Sequence, residues 1–373
     1  MSSQSIQLVG ENLDENDIKP VCALLLKNLI KVLSLRDCEF SDKDFKKLMK
    51  SVGKTKSLLQ LALNIGIVNS EFRIQLLAQA LAKNHSITGI FIHGSNIGDE
   101  GIKILYKSII KNATLETLDI GDCQLTDVSI PLICELLTPS SDWPGLQDLS
   151  LSANPGISKT GWMEFSLALA ASTLRTLYLD YNKLGDEIAS CIIIAVAGCG
   201  TLEILDLEGT GVTQKTATLV LKYVESYTVK LKKVSFSGNK VQKATVEAIK
   251  YHLIPVTDED TEGSDADLLS ITTRSSVGEP RQKEVKVITS SGEAESGNES
   301  DKTIQDYSLH SEIVEQIDFK KAMTHQNEKF NKNSSKDVNE LTIHSSPGDL
   351  YPDEYVEELN EVPTYYTGIP VTF

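Results

Sequence analysis

No run of roughly eighteen apolar residues occurs in this chain, and the longest candidate, Ile188 to Ala197, is about half a membrane span. The start, M-S-S-Q-S-I-Q, carries neither a basic region nor an apolar run, so no secretory signal is expected. Six cysteines, at 22, 38, 123, 134, 191 and 199, include no C-x-x-C pair, which argues for reduced thiols rather than a disulfide framework. Four N-x-S/T triplets, at Asn84, Asn112, Asn298 and Asn333, carry little meaning without that signal. Catalytic signatures are missing too. Gly53-Lys54-Thr55 lacks the upstream glycine of a phosphate loop, where Leu48 stands instead, and Gly209-Thr210-Gly211 lacks the third glycine of a dinucleotide fingerprint. No G-x-S-x-G or H-E-x-x-H occurs, and the six histidines show no ligand spacing. Neither enzyme activity nor a cofactor or metal is expected. Basic residues are outnumbered, 36 against 52 acidic, so no basic face is on offer to phosphates, and neither nucleic acid nor membrane is an expected partner. The expectation is a cytoplasmic, monomeric protein, with nuclear or ciliary location left open.

What is present is a period. Leu174, Leu177, Leu179, Asn182 and Leu184 fit L-x-x-L-x-L-x-x-N/C-x-L, and Leu202, Leu205, Leu207, Thr210 and Val212 fit it again 28 residues later. With the third anchor as the ruler, Leu35, Leu63, Ile92, Ile120, Leu151, Leu179, Leu207 and Phe236 recur at steps of 28, 29, 28, 31, 28, 28 and 29, with Leu8 as a degenerate first copy. The asparagine-type position holds Cys38, Gly66, Ser95, Cys123, Asn154, Asn182, Thr210 and Asn239. One unit cannot bury its own leucines, so neighbouring units must stack. This is the leucine-rich-repeat pattern in its long style. The expected fold is an α/β solenoid, a horseshoe with a parallel inner sheet and outer helices, of about nine repeats of 28–29 residues.

Two domains are expected, a repeat domain over 1–254 and an acidic, mostly disordered tail over 255–373. From Pro255 onward 25 acidic residues face 10 basic ones, which leaves the repeats near neutrality in a chain of net charge −16. In the opening cap, Asp17 to Asn28 reads as a helix with Pro20 in its first turn. Later helix starts are marked by Ser41 with Asp44, Ser70, Asp99, Thr126, Ser158, Asp186 and Thr213. The 31-residue step follows from the linker T-P-S-S-D-W-P-G at Thr138 to Gly145, whose Trp143 reads either as an exposed rim anchor or as packing on the last helical turn. In the tail, Leu309, Ile313 and Ile317 share one helical spacing, and Tyr351, Tyr355, Tyr365 and Tyr366 precede the Val371-Thr372-Phe373 end, which has the look of a docking segment.

Strand alternation places the residues between buried anchors on the concave face. Asp119, Asp148, Asp180, Asp206 and Glu208 come from consecutive repeats, with Phe91, His93 and Tyr178 beside them. Stacked carboxylates suit a protein partner with a basic surface, and the aromatics suit anchoring. An open sheet face lacks the enclosing pocket that acid/base catalysis wants.

The stretches L-S-L-R-D-C-E-F-S-D-K-D-F from Leu33, L-S-A-N-P-G-I-S-K-T-G-W from Leu151, L-D-Y-N-K-L-G-D from Leu179 and L-E-I-L-D-L-E-G-T-G from Leu202 resemble the ribonuclease-inhibitor-like leucine-rich-repeat superfamily. The resemblance spans roughly residues 5 to 250 and implies a horseshoe of strand-helix repeats, while leaving mechanism open. The leading expectation is an intracellular adaptor or scaffold that binds a protein on its concave face. The alternatives are a regulator of a small GTPase, resting on the concave Arg36 as a charge-stabilising arginine, and an actin- or cilium-associated structural protein by fold analogy.

Overall fold

The computed structural model describes residues 4–254, and every tail feature named above lies outside the described residues. Nine parallel strands form one sheet in strict chain order. They are β1 (Gln4–Val9), β2 (Ile30–Arg36), β3 (Gln60–Asn64), β4 (Gly89–Phe91), β5 (Thr117–Asp119), β6 (Asp148–Ser150), β7 (Thr176–Tyr178), β8 (Ile204–Asp206) and β9 (Lys233–Ser235). Each is followed by a helix: α1 (Glu15–Leu26), α2 (Asp42–Val52), α3 (Glu71–Leu81), α4 (Gly98–Ile109), α5 (Ile130–Leu137, entered through a 3-10 turn at Asp127–Ser129), α6 (Lys159–Ala170), α7 (Gly185–Cys199), α8 (Gln214–Ser226) and α9 (Lys243–His252). Strands pair at about 4.8 Å, whereas packed helices need about 8–10 Å, so the stacked repeats curve with the sheet inside. The anchor leucines and their helical partners, such as Phe45, Leu77, Leu105, Ile133, Phe165 and Ile192, make one continuous buried core between the layers.

Three polar devices repeat along the stack. At the inner turn, a side chain donates to the preceding repeat's strand carbonyl: Cys38 to Leu8, Ser95 to Leu63, Cys123 to Ile92, Asn154 to Ile120, Asn182 to Leu151 and Asn239 to Leu207. Gly66 has no side chain to do so, and the Thr210 hydroxyl donates within its own repeat, to Leu207. Two residues past each third anchor the backbone is left-handed, from Gly10 through Asp37, Ile65, Gly94, Asp122, Ala153, Tyr181 and Gly209 to Gly238. From Gly10 to Gly209 their N–H groups extend the sheet ladder into the turn, as from Tyr181 to Glu208 O at 2.8 Å. At the helix exits, Asn84 donates to Val52 O and Thr55 O, and Asn112 to Leu81 O and Asn84 O. Both are buried, so these two N-x-S/T triplets are turn devices and not glycan acceptors.

The helix starts divide into two kinds. Ser41, Ser70, Thr126, Ser158 and Thr213 accept backbone N–H bonds as N-caps, and Ser41 also donates to Asp44 at 2.6 Å. Asp99 and Asp186 are no caps of their own helices; they lie in the first turn and reach the next repeat. Asp99 accepts from Thr126 N at 3.0 Å and from the Thr126 and Ser129 hydroxyls, and Asp186 from Thr213 N at 2.9 Å and the Thr213 and Thr216 hydroxyls. The opening helix also differs from expectation. It begins at Glu15, capped by a reciprocal Asp14–Asp17 pair, so Pro20 is its sixth residue and sits beyond the first turn.

Trp143 is not a rim anchor. Helix α5 has 8 residues where its neighbours have 12, and the following linker folds back to fill the space. The Trp143 ring is 1% exposed and its Nε1 donates to Leu136 O at 2.9 Å. A short helix leaves a gap, and the indole closes it with its one polar atom satisfied.

Candidate functional site on the concave face

The pairing register lays concave side chains in rows across the strands. One row runs through Ala62, Phe91, Asp119, Ser150, Tyr178, Asp206 and Ser235. Another runs through Gln60, Gly89, Thr117, Asp148, Thr176, Ile204 and Lys233. A third, which starts at the end of β3 and continues just past the ends of the later strands, holds Asn64, His93, Gly121, Ser152, Asp180 and Glu208. The eight candidates from alternation therefore do share one face. They differ in access: Asp148, Tyr178, Asp206, Glu208 and His93 are half-buried, while Asp119, Asp180 and Phe91 are buried in the wall. The buried three shape the surface and its field and do not serve as direct anchors.

Each carboxylate is held, and mostly by neutral donors. Asp148 accepts from the Thr117 hydroxyl at 3.0 Å, Asp180 from the Ser152 hydroxyl, Asp206 from Glu208 N at 2.8 Å, and Glu208 from the Tyr181 hydroxyl at 2.6 Å. Asp119 accepts from Gly121 N at 3.0 Å and lies 3.6 Å from His93 Nδ1. That last contact needs glycine at 121. A Cβ there would sit 2.5 Å from His93 Nδ1, so any side chain would push the imidazole off Asp119.

Burial sets the charge state. The Asp180 carboxyl is pushed up to about 6, chiefly by burial and further by the charges of Asp206 and Glu208, against the pull of the Ser152 hydroxyl. Asp206 is raised for the same main reason, with Glu208 adding. At His93 burial opposes the charged form, but the Asp119 hydrogen bond and charge, with Asp122 and Asp180 behind, outweigh it and raise the imidazole above its ordinary value. Burial pushes the Tyr178 phenol up, helped by Asp206, Asp148, Asp180 and Asp119. Such a field favours a cation brought in from outside.

Sequence reasoning passed over two amides on β3. Gln60 Oε1 and Asn64 Oδ1 are buried acceptors without a hydrogen-bond partner among the described residues. Alternation puts both on the concave face, yet no pattern says whether an amide finds a donor. An open depression of about 360 Å³ lies elsewhere, on the rim where strands begin, near Pro144, Gly145, Arg175 and Glu203. There Arg175 and Lys232 both pair with Glu203, at 3.0 Å each, and tie neighbouring repeats together. Among the described residues no cluster of three or more His, Cys, Asp or Glu is arranged to hold a metal ion.

Nine strand-and-helix units, eight of them with the asparagine-type turn position, define a leucine-rich-repeat protein, and the family profile described as Leucine Rich repeat matches residues 111–134 and 170–192. Human leucine-rich repeat-containing protein 73 is 43% identical over 242 residues, covering 65% of this chain and 77% of the relative. The chain belongs to the leucine-rich repeat-containing protein 73 family. Mouse ribonuclease inhibitor is 29% identical over 151 residues, 38% of this chain and 32% of that protein. Among solved structures, the yeast Rad7–Elc1 complex aligns at TM-score 0.45 and 16% identity over 66% of this chain and 59% of that one.

Proposed function

We propose that the chain is a non-enzymatic adaptor whose concave face binds a protein partner through a basic surface. The observation that supports this most is the set of carboxylates Asp119, Asp148, Asp180, Asp206 and Glu208, gathered from consecutive repeats and held largely by neutral donors. Repeat solenoids present extended concave surfaces of this kind to partners. Holding like charges together in a half-buried wall costs stability, and an arriving cation offsets that cost. The cysteines favour a reducing compartment such as the cytoplasm, since Cys38 and Cys123 act as thiol donors to backbone carbonyls. Affinity purification of the native protein beside a variant with Asp148, Asp180, Asp206 and Glu208 changed to Ser tests the reading. A partner retained by the native chain and lost by the variant supports it. Equal recovery by both would move the working surface off this face.

A further inference from the structure

The concave face changes character along the stack. From β5 to β8 it offers carboxylates; at β3 it offers two amide oxygens that nothing among the described residues satisfies. Gln60 is 8% exposed and Asn64 is 2% exposed, so water reaches neither well. A buried acceptor left without a donor costs about 1–3 kcal/mol, and a fold built from repeats has simple ways to avoid it, since Leu or Met occupies the same volume. Hydroxyls at nearby concave positions do find partners, Thr117 with Asp148 and Ser152 with Asp180. The two amides on β3 stand apart from that pattern. They sit at opposite ends of one strand, with the Phe91 ring folded over Gly89 beside Gln60, where a Cβ at Gly89 would meet Phe91 at 3.0 Å and the Gln60 stem at 3.6 Å.

Resting on the basic-partner reading above, we infer that the docking surface extends beyond the acidic patch to β3, and that its occupant is an extended, Arg- or Lys-bearing segment of a protein partner, long enough to place N–H donors on Gln60 and Asn64 while its cations reach β5 to β8. The two orphaned amide oxygens and the carboxylates of β5 to β8 are all acceptors, which is what a guanidinium, an ammonium or a free backbone N–H requires. Five strand steps separate β3 from β8, about 24 Å, the reach of about seven or eight extended residues. Meeting these oxygens calls for a side-chain rotation in the complex, the scale of adjustment common at interfaces. The orphaned oxygens are thus kept at the expense of stability in the free protein and satisfied in the complex.

The test uses the full-length protein with fluorescein-labelled (Arg-Gly)4, its four-residue half (Arg-Gly)2 and spermine as probes, read by anisotropy at low salt. The eight-residue peptide is expected to bind more tightly than the half, and Asp148→Asn, Asp206→Asn and Glu208→Gln together are expected to abolish binding of both. Gln60→Met with Asn64→Leu is expected to weaken the longer peptide about tenfold or more, leave the shorter one unchanged, and raise the melting temperature. Should the double variant not fold, Gln60→Met alone is scored in the same way. Carboxylate variants that abolish binding while the amide variants leave it intact overturn the β3 extension and keep the basic-partner reading. Absence of binding, or binding indifferent to the carboxylates, overturns both. Spermine bound as tightly as the longer peptide, with the same dependence on Gln60 and Asn64, overturns the assignment of a peptide segment.

Discussion

Aspartates on the outer side of the turns and aspartates on the concave face are the same residue put to opposite physical use. Asp99 and Asp186 accept three bonds each from the next repeat, and although burial works against their charge, the hydroxyls of Ser129 and Thr126, and of Thr216 and Thr213, hold them below the ordinary carboxylate range. On the concave side Asp180 and Asp206 are raised, because burial is met by too few donors and by other carboxylates. An aspartate supplied with donors stitches the fold. One left short of them stores a cost that protonation relieves.

The sharpest way to break this contrast is deletion on both sides. Asp186→Ala removes three bonds between repeats and strands the Thr213 N–H, so urea unfolding is expected to show a loss of about 2 kcal/mol, part of the full value being spared by solvent. Asp180→Asn removes a charge the interior resists and keeps the volume, so at pH 7.5 it is expected to stabilise by about 1–2 kcal/mol, the weakened Ser152 bond offsetting part of the gain. A result of equal sign for both would dissolve the distinction. The pH profile follows. A carboxyl raised in the folded state stabilises on protonation, so melting temperature should climb as pH falls from about 7 toward 4. The lowered pair acts the other way, present above the ordinary carboxylate value and lost as pH falls through their folded values, so below pH 4 the curve should turn down. Asp180→Asn is expected to flatten the climb and Asp186→Asn the descent. The smallest effect is Glu208→Gln, half-buried and bonded to Tyr181, expected within about 0.5 kcal/mol in stability while weakening binding of a basic peptide.

The fold was open to reading because burial leaves a dense trace: Leu35, Leu63, Ile92 and their successors recur at steps of 28–31 residues, and the strands followed them in register. Contacts of one repeat with the next left less. Asp99 and Asp186 carry the right chemistry for a helix start, but their partners lie about a repeat further on, and local spacing cannot show that. Pro20 was misplaced because Asp14 caps the helix earlier than the apolar spacing suggests. Trp143 stood between two readings, and the length of α5, which decided it, is set by packing and not by any nearby residue. At the candidate site, alternation brought the eight side chains to one face but was silent on their depth. It placed Gln60 and Asn64 there as well and could not show that their oxygens lack donors.

The inner-turn stitches are not continuous. They fail between β2 and β3, where Gly66 has nothing to offer, and between β7 and β8, where the Thr210 hydroxyl stays within its own repeat. At the same two junctions the outer side is strongly tied, by Arg73 bonding Asp42 and the Phe40 carbonyl, and by Asp186 bonding Thr213 and Thr216. In mechanical terms the stack is a book sewn along both edges, with one thread of the inner seam missing at two pages and a stronger stitch opposite each gap. At both seams the inner edge is held instead by the backbone ladder, as from Asp37 N to Asn64 O at 3.1 Å and from Tyr181 N to Glu208 O at 2.8 Å, so the outer ties carry a larger share of what joins these repeats.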